Sequence, residues 1–479
     1  MGKKDGLMRF EAKEWNAGGA INFYGSRKPE SYIINHKEAH GKMNTERPDF
    51  RKKELALSAS PYVYLPCEMH VFTVEVSHRE DIDGELLQRA MERTLARMPY
   101  LTDTFTEEHG AVYYAENPLP MTVAHTDQIR RVGGAETNWH MLDLTWDGNK
   151  TWFSMFHGFC DGHGLNSFIE STLYHYYCMK DSVEYESAGI RTDRDEMTEA
   201  ETFEPCSKNY EVSPDFNMPE KKEQPKPYHI PEIINTPKQD RILEYGFRLP
   251  SDAFMAFVKE NGTSPAVMLS MLVGETILRM HPDADAPIVS NIPVSVRRML
   301  GCEETFKNCS GRVVLPVSGT PMDALPFAQR AAQLRGVLKM QMNQDLYRMT
   351  YNYIGGMYRK RMSEAADYRE EIRKPAAFLG VCHDTFYIDY IGSLHKTGYS
   401  EQITDVRFLC EPALGNTLHL NIIEHNGQFR VACLACNDIT PVIDTIEQVI
   451  RGHGVPLERV PEQCFTLSWT NWRDGMKLD

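Results

Sequence analysis

The chain has 479 residues, 42% apolar and 25% charged, a globular composition on a chain too long for one small core, so two linked halves are expected. A net charge of −15 argues against a nucleic-acid binder, because phosphate contacts need a basic face. The longest apolar run, AVMLSMLVGETIL (266–278), is too short to span a bilayer, MGKKDGLMRF lacks the apolar core of a signal peptide, and eleven scattered cysteines suggest reduced thiols in a cytoplasm.

Residues 1–57 are polar and irregular and read as a surface arm. A strand is expected at EMHVFTVEV (68–76), then a helix over DIDGELLQRAMERTLARMPYL, where Leu86, Leu87, Ala90, Met91, Leu95 and Met98 recur at helical spacing. GAVYYAE, HMLDLTW and TWFSMFH read as strands, and GLNSFIESTLYHYY places Leu165, Phe168, Ile169, Thr172, Leu173 and Tyr176 on one helical face. Residues 58–180 thus form an N-terminal lobe. From 181 to 240 charge and proline rise and periodic apolar residues vanish, which predicts a solvent-exposed crossover. Residues 241–479 form a C-terminal lobe. It opens with the strand ILEYGFRL and a helix from Pro250, and a second helix starts at Ser264-Pro265, an N-cap followed by proline. IVSNIPVSV (288–296), RVVLPV (312–317), DTFYIDYI (384–391), TLHLNII (417–423) and QFRVACLAC (428–436) read as strands, with helices over 322–345 and 440–452. The Asn-Gly in HNGQ predicts a hairpin, and the CxxC of Cys433 and Cys436 reads as core packing. The expected class is α+β in two similar lobes, each a mixed sheet with helices.

The stretch FSMFHGFCDGHGLNSF (153–168) crowds His157, Cys160, Asp161 and His163 into a glycine-rich turn between strand and helix. His157 ends one face of the strand, where a rigid element can present it to a cleft between the lobes. Gly158 keeps the space beside it clear, and Gly162 and Gly164 are expected to supply backbone angles that other residues resist. Four readings compete. A plain turn is the first, since an HxxxDG string arises by chance about once in fifteen chains of this composition. A metal site from the four side chains is the second; Phe159 stands where a metal turn of the HxHxDH type needs histidine. Cys160 as a nucleophile with His163 as its base is the third. The fourth makes His157 a lone general base.

A strand ending in HxxxDG and followed by a helix resembles the acyltransferase superfamily of chloramphenicol acetyltransferase, which includes alcohol acetyltransferases, plant BAHD enzymes and condensation domains of nonribosomal peptide synthetases. The resemblance runs from about residue 58 to residue 465. DGELLQRAMERTLARMPYLTDTF resembles the family's first helix and following strand, and SNIPVSVRRML with KNCSGRVVLPV resembles its later arginine-bearing strand and sequel. DYIGSL lies where many members carry an SNLG-like loop, matched at Gly392. Phe156 replaces the extra histidine common in condensation domains, which points to free-standing O- or N-acyltransferases, and the lack of a DFGWG-like sequence points away from the plant BAHD branch.

The resemblance implies two chloramphenicol acetyltransferase-like lobes with a cleft or tunnel between them. It makes His157 the general base, Asp161 the structural aspartate that orients the turn by pairing with Arg297, and Gly162 the motif glycine. It implies acyl transfer from a thioester, acyl-CoA or an acyl carrier protein, to a hydroxyl or amine of a small-molecule acceptor, with no permanently bound cofactor or metal. His163 is expected on the acceptor side, Asn308 and Ser393 are candidate oxyanion donors, and Arg297, Arg298, Lys307 and Arg312 are candidate partners of the CoA phosphates. The alternatives are a catalytically inactive binding or scaffolding member of the fold and a metal-dependent hydrolase.

Overall fold

The computed structural model describes residues 47–63, 71–217, 226–235, 242–364, 384–394, 397–410, 412 and 416–465. In the first half these form strands β1 (Arg51–Leu55), β2 (Val71–His78), β3 (Thr104–Glu108), β4 (Ala111–Glu116), β5 (Ala124–His125), β6 (Leu142–Asp147) and β7 (Lys150–Phe156). The helices there are α1 (Ser60–Val63), α2 (Gly84–Arg97) and α3 (Gly162–Asp181). Asp83 caps α2 by accepting the Leu86 N–H, and Leu86, Leu87, Ala90, Met91 and Thr94 make its buried stripe.

The second half contributes strands β8 (Ile242–Pro250), β9 (Val289–Ser295), β10 (Ser310–Pro316), β11 (Phe386–Ser393), β12 (Ile403–Cys410), β13 (Leu418–His425), β14 (Gln428–Ala435) and β15 (Glu458–Phe465). Its helices are α4 (Ser251–Glu260), α5 (Pro265–Met280), α6 (Arg297–Leu300), α7 (Phe327–Gln341), α8 (Gln344–Glu364) and α9 (Thr440–Gly452). The hairpin expected at HNGQ joins β13 to β14, with Asn426 and Gly427 both at positive φ. Cys433 and Cys436 are buried in apolar packing. The helical stretch expected over 322–345 is broken into a 3₁₀ turn at Pro321–Ala324, then α7 and α8. Ser264 flanks α5 without a side-chain cap, its hydroxyl buried and unpaired among the described residues.

Two sheets carry the architecture. Five strands in the order β12-β2-β7-β6-β5 form the N-terminal sheet, and seven in the order β10-β9-β11-β13-β14-β8-β15 form the C-terminal sheet. One member of the first sheet comes from the second half of the chain: β12 pairs antiparallel with β2, with Cys410 opposite Phe72. Beneath this junction Arg407 of β12 binds Glu75 of β2 and Glu244 of β8, while Arg430 of β14 reaches Glu244 at 3.1 Å. All four side chains are buried, so two guanidinium groups and two carboxylates neutralise one another where the sheets meet.

Two sequence expectations change. Residues 51–55, read as part of an arm, form β1 and pair with β4 in a small sheet of order β1-β4-β3, and Ala56 and Leu57 are buried. Their charged side chains face solvent from an edge strand, which hides the strand in the composition. Most of the first part of the crossover is solvent-exposed as expected, but the segment 201–206 is packed. Glu201 is buried against Arg97 (2.9 and 3.1 Å) and Tyr100 (2.6 Å), and Glu204 accepts from the N–H and hydroxyl of Ser58, both at 3.0 Å. These two acids find partners on the lobe they cross, so their charge does not signal exposure.

Candidate active site

Strand β7 ends at Phe156, so His157 is the first residue beyond a rigid edge. Its imidazole lies between two aromatic rings: Tyr62 of α1 at 4.0 Å and Phe72 of β2 at 4.2 Å, centroid to centroid. The residue keeps part of its surface accessible. Nδ1 lies 3.2 Å from the Cys160 carbonyl. A carbonyl can only accept, so Nδ1 carries the proton and Nε2 holds the lone pair. Burial lowers the imidazole's pKa below 6.5, and the Cys160 carbonyl and Asp161 charge only partly offset it. The ring is therefore neutral near pH 7.

The turn that follows is held by Asp161, which performs three tasks. As N-cap of α3 it accepts from the N–H groups of His163 (3.1 Å) and Gly164 (3.4 Å). It receives a fork from Arg297, Nη1 to Oδ2 at 2.8 Å and Nη2 to Oδ1 at 2.7 Å, and Oδ2 also accepts the Cys309 N–H at 2.9 Å. Burial opposes ionisation of Asp161, but the Arg297 charge and these hydrogen bonds outweigh it and hold the carboxyl below its ordinary 3.8. Arg297 in turn donates to the carbonyls of Thr305 (3.1 Å) and Lys307 (2.9 Å), tying the 305–309 loop to the turn.

Gly162 and Gly164 do not serve unusual backbone angles: both lie within α3, and neither has a positive φ. Gly164 is required by closeness instead, since a Cβ there would overlap the Phe306 carbonyl oxygen and sit 2.7 Å from the Cys160 Cβ. At Gly162 the neighbour is Ile391 of β11, 3.3 Å from where a Cβ would stand.

Asn308 lies beside His157, but as a brace. Its Nδ2 donates to the carbonyls of His157 (2.7 Å) and Gly158 (3.2 Å), which occupies both amide hydrogens and leaves none for an oxyanion. Ser393 is exposed at the end of β11. His163 is exposed in the first turn of α3. Cys160 is fully buried, its thiol 3.1 Å from the Met155 sulfur and its pKa raised well above the ordinary 9.0 by burial, so it is no nucleophile. With Asp161 clamped by Arg297 and Cys160 sealed in, the turn offers no ligand set for a metal. Arg297 and Lys307 cannot meet CoA phosphates either, because both are buried, the latter against Glu54 and the Tyr114 ring. Arg298 and Arg312 remain exposed.

Tyr62 and Phe72, which flank the imidazole, carry no sequence signal of their own. Phe72 is adjacent because its register partner on β7 is Met155, two residues before His157.

No family model matches the chain, and no curated protein does. Solved structures match it in fold. Polyketide synthase associated protein 5 from Mycobacterium tuberculosis superposes with a TM-score of 0.58 at 14% identity, covering 84% of this chain and 97% of that one. Trichothecene 15-O-acetyltransferase from Fusarium sporotrichioides gives 0.55 at 10%, covering 84% and 94%. TRI101 of F. graminearum, complexed with coenzyme A and T-2 mycotoxin, gives 0.53 at 9%, covering 84% and 97%. Condensation domains of peptide synthetases are among the further neighbours. The fold is the two-lobed α+β fold of chloramphenicol acetyltransferase-like acyltransferases and condensation domains. Among the described residues no helix is long and apolar enough to cross a membrane.

Proposed function

We propose that this chain is an acyltransferase that moves an acyl group from a thioester, acyl-CoA, to a hydroxyl or amine, with His157 as general base. The observation that carries the reading is the fixed imidazole: Nδ1–H is committed to the Cys160 carbonyl, which leaves Nε2 as the basic atom of a residue that keeps part of its surface accessible. Nε2 takes the acceptor's proton as the acceptor atom attacks the thioester carbonyl carbon. The carbonyl π electrons move to oxygen, and the tetrahedral intermediate collapses by expelling the thiolate. The imidazolium returns its proton to that sulfur, so no covalent acyl-enzyme is needed. Asp161 and Arg297 are positioning residues, acting through the turn. CoA is favoured as donor over a carrier-protein thioester because a neighbour of this fold was crystallised with coenzyme A.

The test is free-thiol release from a panel of acyl-CoAs with hydroxyl and amine acceptors. Turnover by the native chain and its loss in a folded His157→Ala variant are expected. Wild-type rates in that variant would overturn the mechanism.

A further inference from the structure

A second set of reactive side chains lies next to Phe72, across the strand pair β2–β12. Among the described residues, Asp389, Cys410 and His419 bring one carboxylate oxygen, one sulfur and one imidazole nitrogen within 4.8 Å of one another, and all three are buried. They come from three strands and both sheets: Asp389 from β11 and His419 from β13 in the C-terminal sheet, Cys410 from the end of β12 in the N-terminal sheet. Cys410 is the cross-strand partner of Phe72, whose ring packs on His157, so the trio sits at the seam next to the candidate base.

Two further observations bear on what such a trio is for. The Asp389 carboxylate, 8% exposed, lies 3.9 Å from His419 Nε2 and meets no other cation among the described residues. That is unusual for a buried charge in this chain, where Asp161, Glu75 and Glu244 are each matched by arginine. Beside it stands Asn421, the register partner of Asp389 across β11 and β13. It is fully buried and donates to the Cys410 carbonyl at 3.4 Å, while its Oδ1 has no hydrogen-bond partner among the described residues. A buried amide oxygen without a donor is costly, and a cation would satisfy it.

We propose that Asp389, Cys410 and His419 bind a divalent transition-metal ion of the zinc class, with the Asn421 amide oxygen facing the remaining coordination position. The donor chemistry fits: zinc takes thiolate, imidazole and carboxylate together, at about 2.0 to 2.3 Å in a tetrahedral set. Hard cations such as Mg²⁺ and Ca²⁺ prefer oxygen and would leave the sulfur unused. Charge balances too. A carboxylate and a thiolate offset a divalent ion around a neutral imidazole, and Cys410 loses its proton to solvent on binding. The ion would tie the two sheets together at the seam and leave the acyl-transfer chemistry to His157.

The experiment uses the full chain, stripped with chelator and then titrated with Co²⁺, followed by competition with Zn²⁺. The expected result is a near-ultraviolet sulfur-to-cobalt band together with visible bands of a tetrahedral ion, saturating at one equivalent and removed by Zn²⁺. Cys410→Ser should abolish the sulfur band, and His419→Gln should weaken Zn²⁺ affinity by at least about tenfold, the scale on which even outer-sphere partners act. Cys178→Ser, at a half-buried thiol on α3, should leave the spectrum unchanged. No sulfur band in the wild-type chain, or an undiminished band in Cys410→Ser, would overturn the site. The wild-type titration decides even if a variant fails to fold, and the spectroscopic readout is independent of transferase activity.

Discussion

Asp161 and Arg297 stand 136 residues apart in sequence and meet through two hydrogen bonds of 2.7 and 2.8 Å, both side chains buried. The carboxylate caps a helix and the guanidinium holds a loop, and together they fix the turn that carries His157.

Asp161→Asn keeps the shape of the side chain but leaves the Arg297 charge buried and unpaired. A loss of about 3–5 kcal/mol is expected, read from urea or thermal unfolding, with acyl transfer falling in the fraction that remains folded. Arg297→Lys supplies charge without the fork and should fall between the wild type and Asp161→Asn. Because the Asp161 pKa is depressed in the folded chain, its stabilising contribution is present above the ordinary value of 3.8 and is lost as pH falls through the lower folded value. Asp161→Asn should remove that part of the acid unfolding profile. A variant destabilised by less than about 1 kcal/mol would show that the pair is incidental.

The His157 pKa is depressed below 6.5 by burial. The base is then active in its neutral form throughout the neutral range, and the acid limb of kcat/KM should be centred below 6.5. Between the folded value and 6.5 the unfolded chain binds more protons at this position, so the stability linked to His157 rises with pH through that window and is complete above it. A pH–rate profile limited by a group titrating above 6.5 would contradict the assignment.

Asn308 gives both amide hydrogens to the carbonyls of His157 and Gly158. Asn308→Ala should cost about 1–3 kcal/mol by leaving buried acceptors without donors, and should lower kcat more than it raises KM. Asn308→Asp puts a second set of acceptors against those carbonyls and should be the worse variant. Were alanine the more damaging of the two, the amide would be acting on the reactants rather than on the turn.

Arg407 bridges Glu75 and Glu244 across the two sheets. Arg407→Met leaves two buried carboxylates with one cation each, Glu244 with Arg430 and Glu75 with Lys150, and should destabilise by about 3 kcal/mol. Adding Glu75→Gln to it should recover part of that loss, because one of the under-compensated charges is removed. Additive losses in the double variant would mean that the bridge carries no coupling.

Much of the lobe structure was legible because it rests on local pattern. The apolar stripe of Leu86, Leu87, Ala90 and Met91, the alternation along β7 and the Asn426-Gly427 turn each declare their element within a few residues. The His157 turn and its arginine were found through a family resemblance, and the geometry places Asp161 on Arg297. What pattern could not supply was long-range pairing. ITDVRFLC in β12 has an ordinary strand alternation, but nothing in it says that its partner is β2. The oxyanion role expected of Asn308 failed for a related reason: which atoms an amide meets depends on a loop folded back by Arg297. Likewise Glu201 and Glu204 read as solvated, like the acids around them, until Arg97, Tyr100 and Ser58 are seen beside them.

The loan of β12 to the N-terminal sheet has a consequence for biosynthesis. While the chain leaves the ribosome, β2 waits with a bare flank until residues more than 300 positions further on have been made, as for Arg407 and Glu75, 332 apart. The first half therefore cannot finish as an autonomous module, and a nascent chain stopped before residue 403 would offer that flank to any passing strand. Separately expressed halves should be soluble only when they are produced together.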